Sequence, residues 1–297
     1  MKKNFFKTMG KTLMIAILGI GLVTFSGCTK DQPSDPTPVN PTPDPNPNPN
    51  PNPNPDPDPN PGGSTSNDTW ANLINETPHE AVINGNTMTY GDHVYTMEGE
   101  IDLNATTFQS PTAFVTFTNV PSGYTEFEAV YNQFLGKSMQ GTAAMIPMAM
   151  EIYARDAALG EKCFNLLCKG PATVSEIISI LKTKFNYSQY SPEIDPYVQR
   201  YLPAATLKGA AYNNGYNPTE PYTVEMCRSA NAPTSYSFDA YGMVYYLYIL
   251  APGGWDTFQR GVDIFKADNS DLYKVFQCPA VYTMCKITNG DVWKGLK

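Results

Sequence analysis

Between Pro33 and Pro61 the chain sets a proline at nearly every second position, as in Pro45-Asn46-Pro47-Asn48-Pro49. Each proline fixes its own φ and pushes the residue before it toward extended or polyproline II geometry, so neither helix nor sheet can run through the tract. The intervening residues are mostly Asn and Asp. They leave almost nothing apolar to bury, and the segment reads as a non-folding spacer of ~3.1 Å per residue. The rival reading is a polyproline ligand for a partner's aromatic groove. Core formation is thereby confined to residues 64–297, long enough for one large domain or two small ones, with one compact unit favoured.

Ahead of the spacer, Lys2, Lys3, Lys7 and Lys11 precede an apolar run from Leu13 to Phe25 and then small Ser26 and Gly27. That is the layout of a secretory signal peptide over residues 1–27. At about 13 residues the apolar run falls short of the roughly 18 needed to span a bilayer. The ending Phe25-Ser26-Gly27-Cys28 resembles a bacterial lipobox, with Phe25 where Leu is commoner. The resemblance implies cleavage before Cys28 and acylation of its thiol and new amino group. Two or more acyl chains hold a protein firmly where one does not, so the expected partner is a membrane, gripped through lipid on Cys28. Thr29 stands where Asp signals inner-membrane retention in some lipoproteins of Gram-negative bacteria, and Lys30-Asp31 resembles a charged surface-export signal. An outer-membrane lipoprotein is the expectation, with exposure at the cell surface as its extension. Residues 28–63 are then the lipidated cysteine and linker.

Residues 64–297 hold 23 acidic and 15 basic side chains and so carry the whole net charge of −8. Nucleic acid and anionic headgroups, which want a basic face, are poor partners. Five cysteines follow Cys28: Cys163, Cys168, Cys227, Cys278 and Cys285. The odd count leaves at least one thiol free. Five residues apart on a helix, or seven apart on a strand, neither near pair faces itself, and burial as small apolar side chains is expected.

From Glu80 to Val120 the pattern is strand-like. Ala81-Val82-Ile83 and Thr87-Met88-Thr89-Tyr90 flank Asn84-Gly85, a hairpin dipeptide, and Ala113 to Thr118 alternates clearly. A helix is expected from Thr125, with a Thr125–Glu128 capping box, an apolar stripe from Phe127 to Leu135 and Gly136 as its stop. Ala143 to Tyr153 is apolar all round, a buried helix in which Pro147 marks a kink or first turn. Pro171 opens a further helix with a Thr173–Glu176 capping box and a stripe of Val174, Ile177, Ile178, Leu181 and Phe185. A weaker helical segment covers Tyr197 to Ala205. Beyond Gly215 the period falls to two. Strands are expected at Tyr222–Cys227, Met243–Leu250, Val262–Lys266, Leu272–Cys278 and Val281–Ile287. The fold class is α+β: a helical block followed by an antiparallel sheet, with a small β segment ahead of it.

Three stretches carry a family resemblance: Gly123-Tyr124-Thr125-Glu126-Phe127-Glu128; Leu135-Gly136-Lys137-Ser138 running into Gly141-Thr142-Ala143-Ala144-Met145; and Gly215-Tyr216-Asn217-Pro218 leading into Pro221-Tyr222-Thr223-Val224. They resemble an uncharacterised family of bacterial envelope lipoproteins, a domain of unknown function, over Gly123 to Lys297. Gly253, Gly254 and Arg260 fit its Gly-rich turn and arginine, whereas Trp255-Asp256-Thr257 departs from it. The resemblance implies the fold and no known activity, cofactor or catalytic residue.

Leu135-Gly136-Lys137-Ser138 ends like a P-loop, but Tyr131 stands where the pattern needs glycine. His79 and His93, beside Glu80 and Asp92, match no compact zinc spacing. Pairing one of those histidines with a distant cysteine as nucleophile is not signalled either. No G-x-S-x-G elbow occurs. Glu98 with Glu100 and Glu126 with Glu128 are acid pairs, the latter suited to a helix N-terminus. No cofactor is expected.

Tyrosine is the surplus: nineteen against three tryptophans. Tyr212, Tyr216 and Tyr222 surround Asn213-Asn214-Gly215, and with Trp255 they form the candidate surface for a glycan or peptide, since such rings offer apolar faces and polar tips. Core packing uses the same residues. The leading expectation is a tethered, non-catalytic binding module. Its rivals are an envelope hydrolase working through carboxylates and a structural envelope component.

Overall fold

The computed structural model describes residues 73–103, 110–185, 199–228, 235–251, 253, 259–283, 285–286, 288 and 295–297, all within a compact unit spanning Pro61–Lys297. Cys28, the linker and Trp255 lie outside the described residues, and of the helix expected over Tyr197–Ala205 the described residues form turns that lead into a 3-10 turn at Ala204–Thr206.

The chain is α+β. Strands β1 (Ala81–Asn84), β2 (Thr87–Tyr90), β3 (His93–Gly99) and β4 (Ala113–Phe117) come first. Helices α1 (Tyr124–Gln133), α2 (Met139–Arg155), α3 (Ala157–Leu167) and α4 (Pro171–Lys184) follow, and then β5 (Tyr222–Arg228), β6 (Ser235–Phe238), β7 (Gly242–Leu250), β8 (Gln259–Lys266) and β9 (Tyr273–Gln277). All nine described strands form one sheet in the order β1-β2-β3-β4-β5-β7-β8-β9. Every pairing is antiparallel. The early β segment is therefore no satellite, because β4 pairs directly with β5. Strand β7 gives residues Leu247–Leu250 to β5 and Gly242–Tyr245 to β6, so β5 and β6 share one of its edges.

Side chains alternate across a strand, so the sheet has two faces of different chemistry. One face sends Tyr95, Val115, Phe117, Val224, Met226, Leu247, Ile249, Val262 and Ile264 into a core shared with the helices. Helix α2 fills its centre and is buried along almost its whole length, with Pro147 in its interior rather than its first turn. Burying one such aliphatic side chain stabilises by about 1.5–3 kcal/mol, which is why an all-apolar helix belongs here. On the opposite face Thr87, Thr96, Thr116 and Thr223 stand in one register row across β2–β5. Two pairs of that row meet at 3.2 Å between hydroxyls.

Several local expectations are corrected. The β1–β2 turn is Gly85-Asn86, one residue later than Asn84-Gly85, because Asn84 pairs with Thr87 and Gly85 takes the left-handed φ of +59°. Helix α1 starts at Tyr124 with Gly123 as its N-cap, which puts Thr125 inside the helix where it cannot cap. The carboxylate of Glu76 supplies the missing acceptors, taking Tyr124 N at 2.6 Å and Thr125 N at 3.0 Å. Helix α4 likewise begins after Gly170 with no side-chain cap, and Thr173 is buried within it. Helix α1 ends at Gln133, and Gly136 lies in the 3-10 turn that follows. No helix was expected at α3, which Asp156 caps by accepting from Leu159 N at 2.9 Å. The described residues of Val281–Ile287 are not in a strand. There the Gln199 amide takes the place of a neighbouring strand, accepting from Cys285 N at 3.0 Å and donating to Cys285 O at 2.8 Å. All five described cysteines are buried and unbridged.

Candidate functional site

Two of the four sequence candidates belong to the core. Tyr216 is fully buried, stacks on Tyr201 with ring centroids 4.6 Å apart, and donates its hydroxyl to Lys286 O. Tyr222 is buried against Phe117, and its hydroxyl accepts from Lys297 N. Of the three described candidates, Tyr212 alone is exposed, at 39 %. Among the described candidates no ring stands beside Tyr212 at the surface, where Lys286 lies over it.

The two histidines do not converge on Glu80 and Asp92. His79 packs edge-on to Tyr90, while His93 turns its Nδ1 to Glu126 Oε1 at 2.8 Å. Among the described residues no group of three or more His, Cys, Asp or Glu is placed to hold a metal. Glu126 is buried and fully satisfied. Tyr95 donates to its Oε1 at 2.7 Å, and Ser122 N and Oγ donate to its Oε2 at 2.7 Å each. Burial pushes this carboxyl up, but the His93, Ser122 and Tyr95 hydrogen bonds outweigh it and leave it below the usual range. Burial pulls His93 down, and the Glu126 hydrogen bond and charge more than reverse that, so the imidazole sits above its ordinary value.

A second buried acid, Glu151 on α2, holds Arg200 through two contacts of 2.8 Å and Arg155 Nε at 3.1 Å. Arg155 also donates to Leu296 O, which ties the chain's last residues to α2. Glu126 and Glu151 therefore spend their oxygens on protein donors and offer a substrate little.

The remaining chemistry lies on the sheet face away from the helices, at the β6–β9 end. Register places Tyr236, Val244 and Phe265 side by side there, and Tyr246 beside Asp263. The β7 and β8 residues between them, Tyr245, Leu247 and Ile264, point to the other face. A shift in the β8–β9 register at Asp263/Ile264 adds Phe276 next to Gln277. Phe276 becomes the hub of a ring cluster, 5.2 Å from Phe238, 5.3 Å from Tyr241, 6.2 Å from Tyr236 and 6.4 Å from Phe265, centroid to centroid. Most of these contacts are edge-to-face, the arrangement aromatic quadrupoles favour. Val244, Phe265 and Phe276 form a small cluster separate from the main core. At its rim Phe238 is 44 % exposed.

Two charged groups meet these rings. After α3 the chain runs along β9, where Cys168 bridges to Val275 and Lys169 N bonds Val275 O. That course sets the Lys169 ammonium 3.4 Å above the Phe276 ring centre and 5.7 Å from that of Tyr241. Asp263, 3 % exposed, accepts from Gln277 Nε2 at 2.6 Å and Tyr236 Oη at 3.2 Å, both through Oδ2. Its Oδ1 is buried with no hydrogen-bond partner among the described residues. Burial pushes this carboxyl above its ordinary value, although the Gln277 and Tyr236 hydrogen bonds and the Lys169 charge pull the other way. Tyr246 reaches over the next strand because residue 261 is glycine, and a Cβ there would stand 2.1 Å from its hydroxyl. Sequence reasoning missed this site, although Tyr236 and Phe238 alternate with serines directly ahead of a turn.

A groove of about 420 Å³ between α3 and α4, lined by Glu161, Asn165, Val174 and Ile178 among others, carries no such combination. Residues 119–289 match a protein family described as a domain of unknown function, DUF6935. The match runs from before α1 to beyond β9 and leaves β1–β4 upstream. No curated protein and no solved structure matches the chain.

Proposed function

The chain belongs to the family of the domain of unknown function DUF6935, and from that premise we propose that its folded domain is a non-catalytic module that binds a glycan on the aromatic face of β6–β9. The observation that carries this reading is the ring cluster around Phe276, which lies outside the main core, includes exposed Phe238, and borders a carboxylate oxygen without a partner among the described residues. Aromatic faces stack on the C–H faces of sugars, and the Asp263 carboxylate, Gln277 amide and Tyr236 hydroxyl supply the hydrogen bonds that orient them. A peptide would instead seek an open strand edge. The edge of β9 is already taken in part by Cys168 and Lys169.

The sequence supports a location for this module. The lipobox ending at Cys28 and the proline-rich spacer tether it to the outer membrane at a distance, with the domain facing its ligand. Among the described residues no helix is long and apolar enough to cross a membrane.

Full-length protein purified in detergent and applied to an array of bacterial and host polysaccharides tests the binding. Retention on at least one glycan, lost in Phe238→Ala, supports it, and retention on none counts against it. Mass spectrometry of the N-terminal peptide from cells tests the tether, which requires an acylated Cys28.

A further inference from the structure

We propose that the β6–β9 aromatic face is a cation cage, so that the glycan it holds is an amino sugar carrying a free ammonium group. The inference rests on the glycan reading above and narrows it to one ligand chemistry.

The first support is that an ammonium already occupies the cage. Lys169 Nζ lies over the face of Phe276 at 3.4 Å and within 5.7 Å of the Tyr241 ring centre. It forms no salt bridge with any described residue, and although the Asp263 and Glu176 charges act on it, the rings are what it lies against. A cation over an aromatic face within about 6 Å of the centroid is attracted by the ring quadrupole. Lys169 thus shows what kind of charge this arrangement accepts.

The second support is the hydrogen-bonding state of the acid beside the rings. Asp263 is 97 % buried, its Oδ2 is taken by Gln277 and Tyr236, and its Oδ1 is empty. A buried acceptor without a donor is unfavourable, and a buried carboxylate without a directly paired countercharge more so. An ammonium resolves both at once, because it donates up to three hydrogen bonds and brings a positive charge. A sugar hydroxyl fills the vacant lone pair but brings no charge, and the Lys169 ammonium, whose field reaches Asp263, forms no ion pair with it. The Tyr236 hydroxyl closes over Asp263 from β6, a four-residue strand paired only to β7 among the described residues. A ligand amine reaches Oδ1 as that ring swings aside, and it displaces Lys169 from Phe276.

The test is calorimetry on the full-length protein in detergent, with a glucosamine hexamer carrying free amines and the fully N-acetylated hexamer of the same length. The expected result is binding of the free amine about tenfold tighter than the acetylated chain, from cation–π attraction and pairing with Asp263. Lys169→Met, which removes the internal competitor while keeping an apolar stem, tightens the free-amine complex several-fold. Asp263→Asn abolishes the preference. Equal affinity for the two hexamers, or no gain in Lys169→Met, overturns the cation cage and leaves the glycan reading standing. Binding of neither hexamer overturns the cage, and the glycan reading falls with it only if the polysaccharide array is also blank. Phe238→Ala, at an exposed ring, provides a variant whose fold does not depend on the buried acid.

Discussion

Arg200 lays its two terminal nitrogens on the two carboxylate oxygens of Glu151, each at 2.8 Å, and both side chains are almost completely buried. This pair joins α2 to the segment that follows α4, and Arg155 extends it to the last residues of the chain. The Arg200 and Arg155 charges hold the Glu151 carboxyl below its ordinary value against the upward push of burial.

Removing one partner strands a buried charge. Glu151→Gln or Arg200→Met is expected to cost about 3–5 kcal/mol in urea unfolding. Glu151→Leu combined with Arg200→Met removes both charges and is expected to recover most of that loss. A single variant with wild-type stability would contradict the anchoring role.

The His93–Glu126 pair makes stability depend on pH from both sides. Glu126 is lowered in the folded state, so its contribution is present above the ordinary carboxyl value of 4.5 and is lost as pH falls through its folded value. His93 is raised, so its contribution is complete below 6.5 and is lost as pH rises through its folded value. Chemical unfolding between pH 5 and 9, with approximate limits set by the histidine range, should show wild type losing stability on the alkaline side. His93→Gln should flatten that decline, and an unchanged profile would refute it.

Burial pushes the thiols up, Cys227 to about 11 and Cys168 and Cys285 to about 12, with Cys163 and Cys278 raised further. Thiolate is the reactive form. Iodoacetamide at neutral pH should leave these five cysteines unlabelled in the folded protein and modify them after urea unfolding. Rapid labelling of any of them in the native state would show an opened core.

The fold was largely legible in the sequence because its signals were local. The all-apolar run around Met145 read as a buried helix, and alternation at Tyr222–Cys227 and Val262–Lys266 read as strands. What remained hidden depends on contacts across long separations. Glu76 caps a helix 48 residues on, and Gln199 stands in for a strand 86 residues away. No short-range pattern announces either. The site failed for a related reason. Tyr216 and Tyr222 carry the same composition signal as Tyr236 and Tyr241, and only strand parity with the position of the helices decides which rings enter the core. Asp263 sat in the short expected strand Val262–Lys266, whose pattern does not show which groups β6 and β9 bring to its carboxylate.

Hydroxyl-radical footprinting of the full-length protein, with and without a glycan it retains, tests the central claim most directly. Protection concentrated on Tyr236, Phe238 and Tyr241, with Tyr212 unchanged, is the predicted result. Protection at Tyr212 with no change across the β6–β7 hairpin would contradict it.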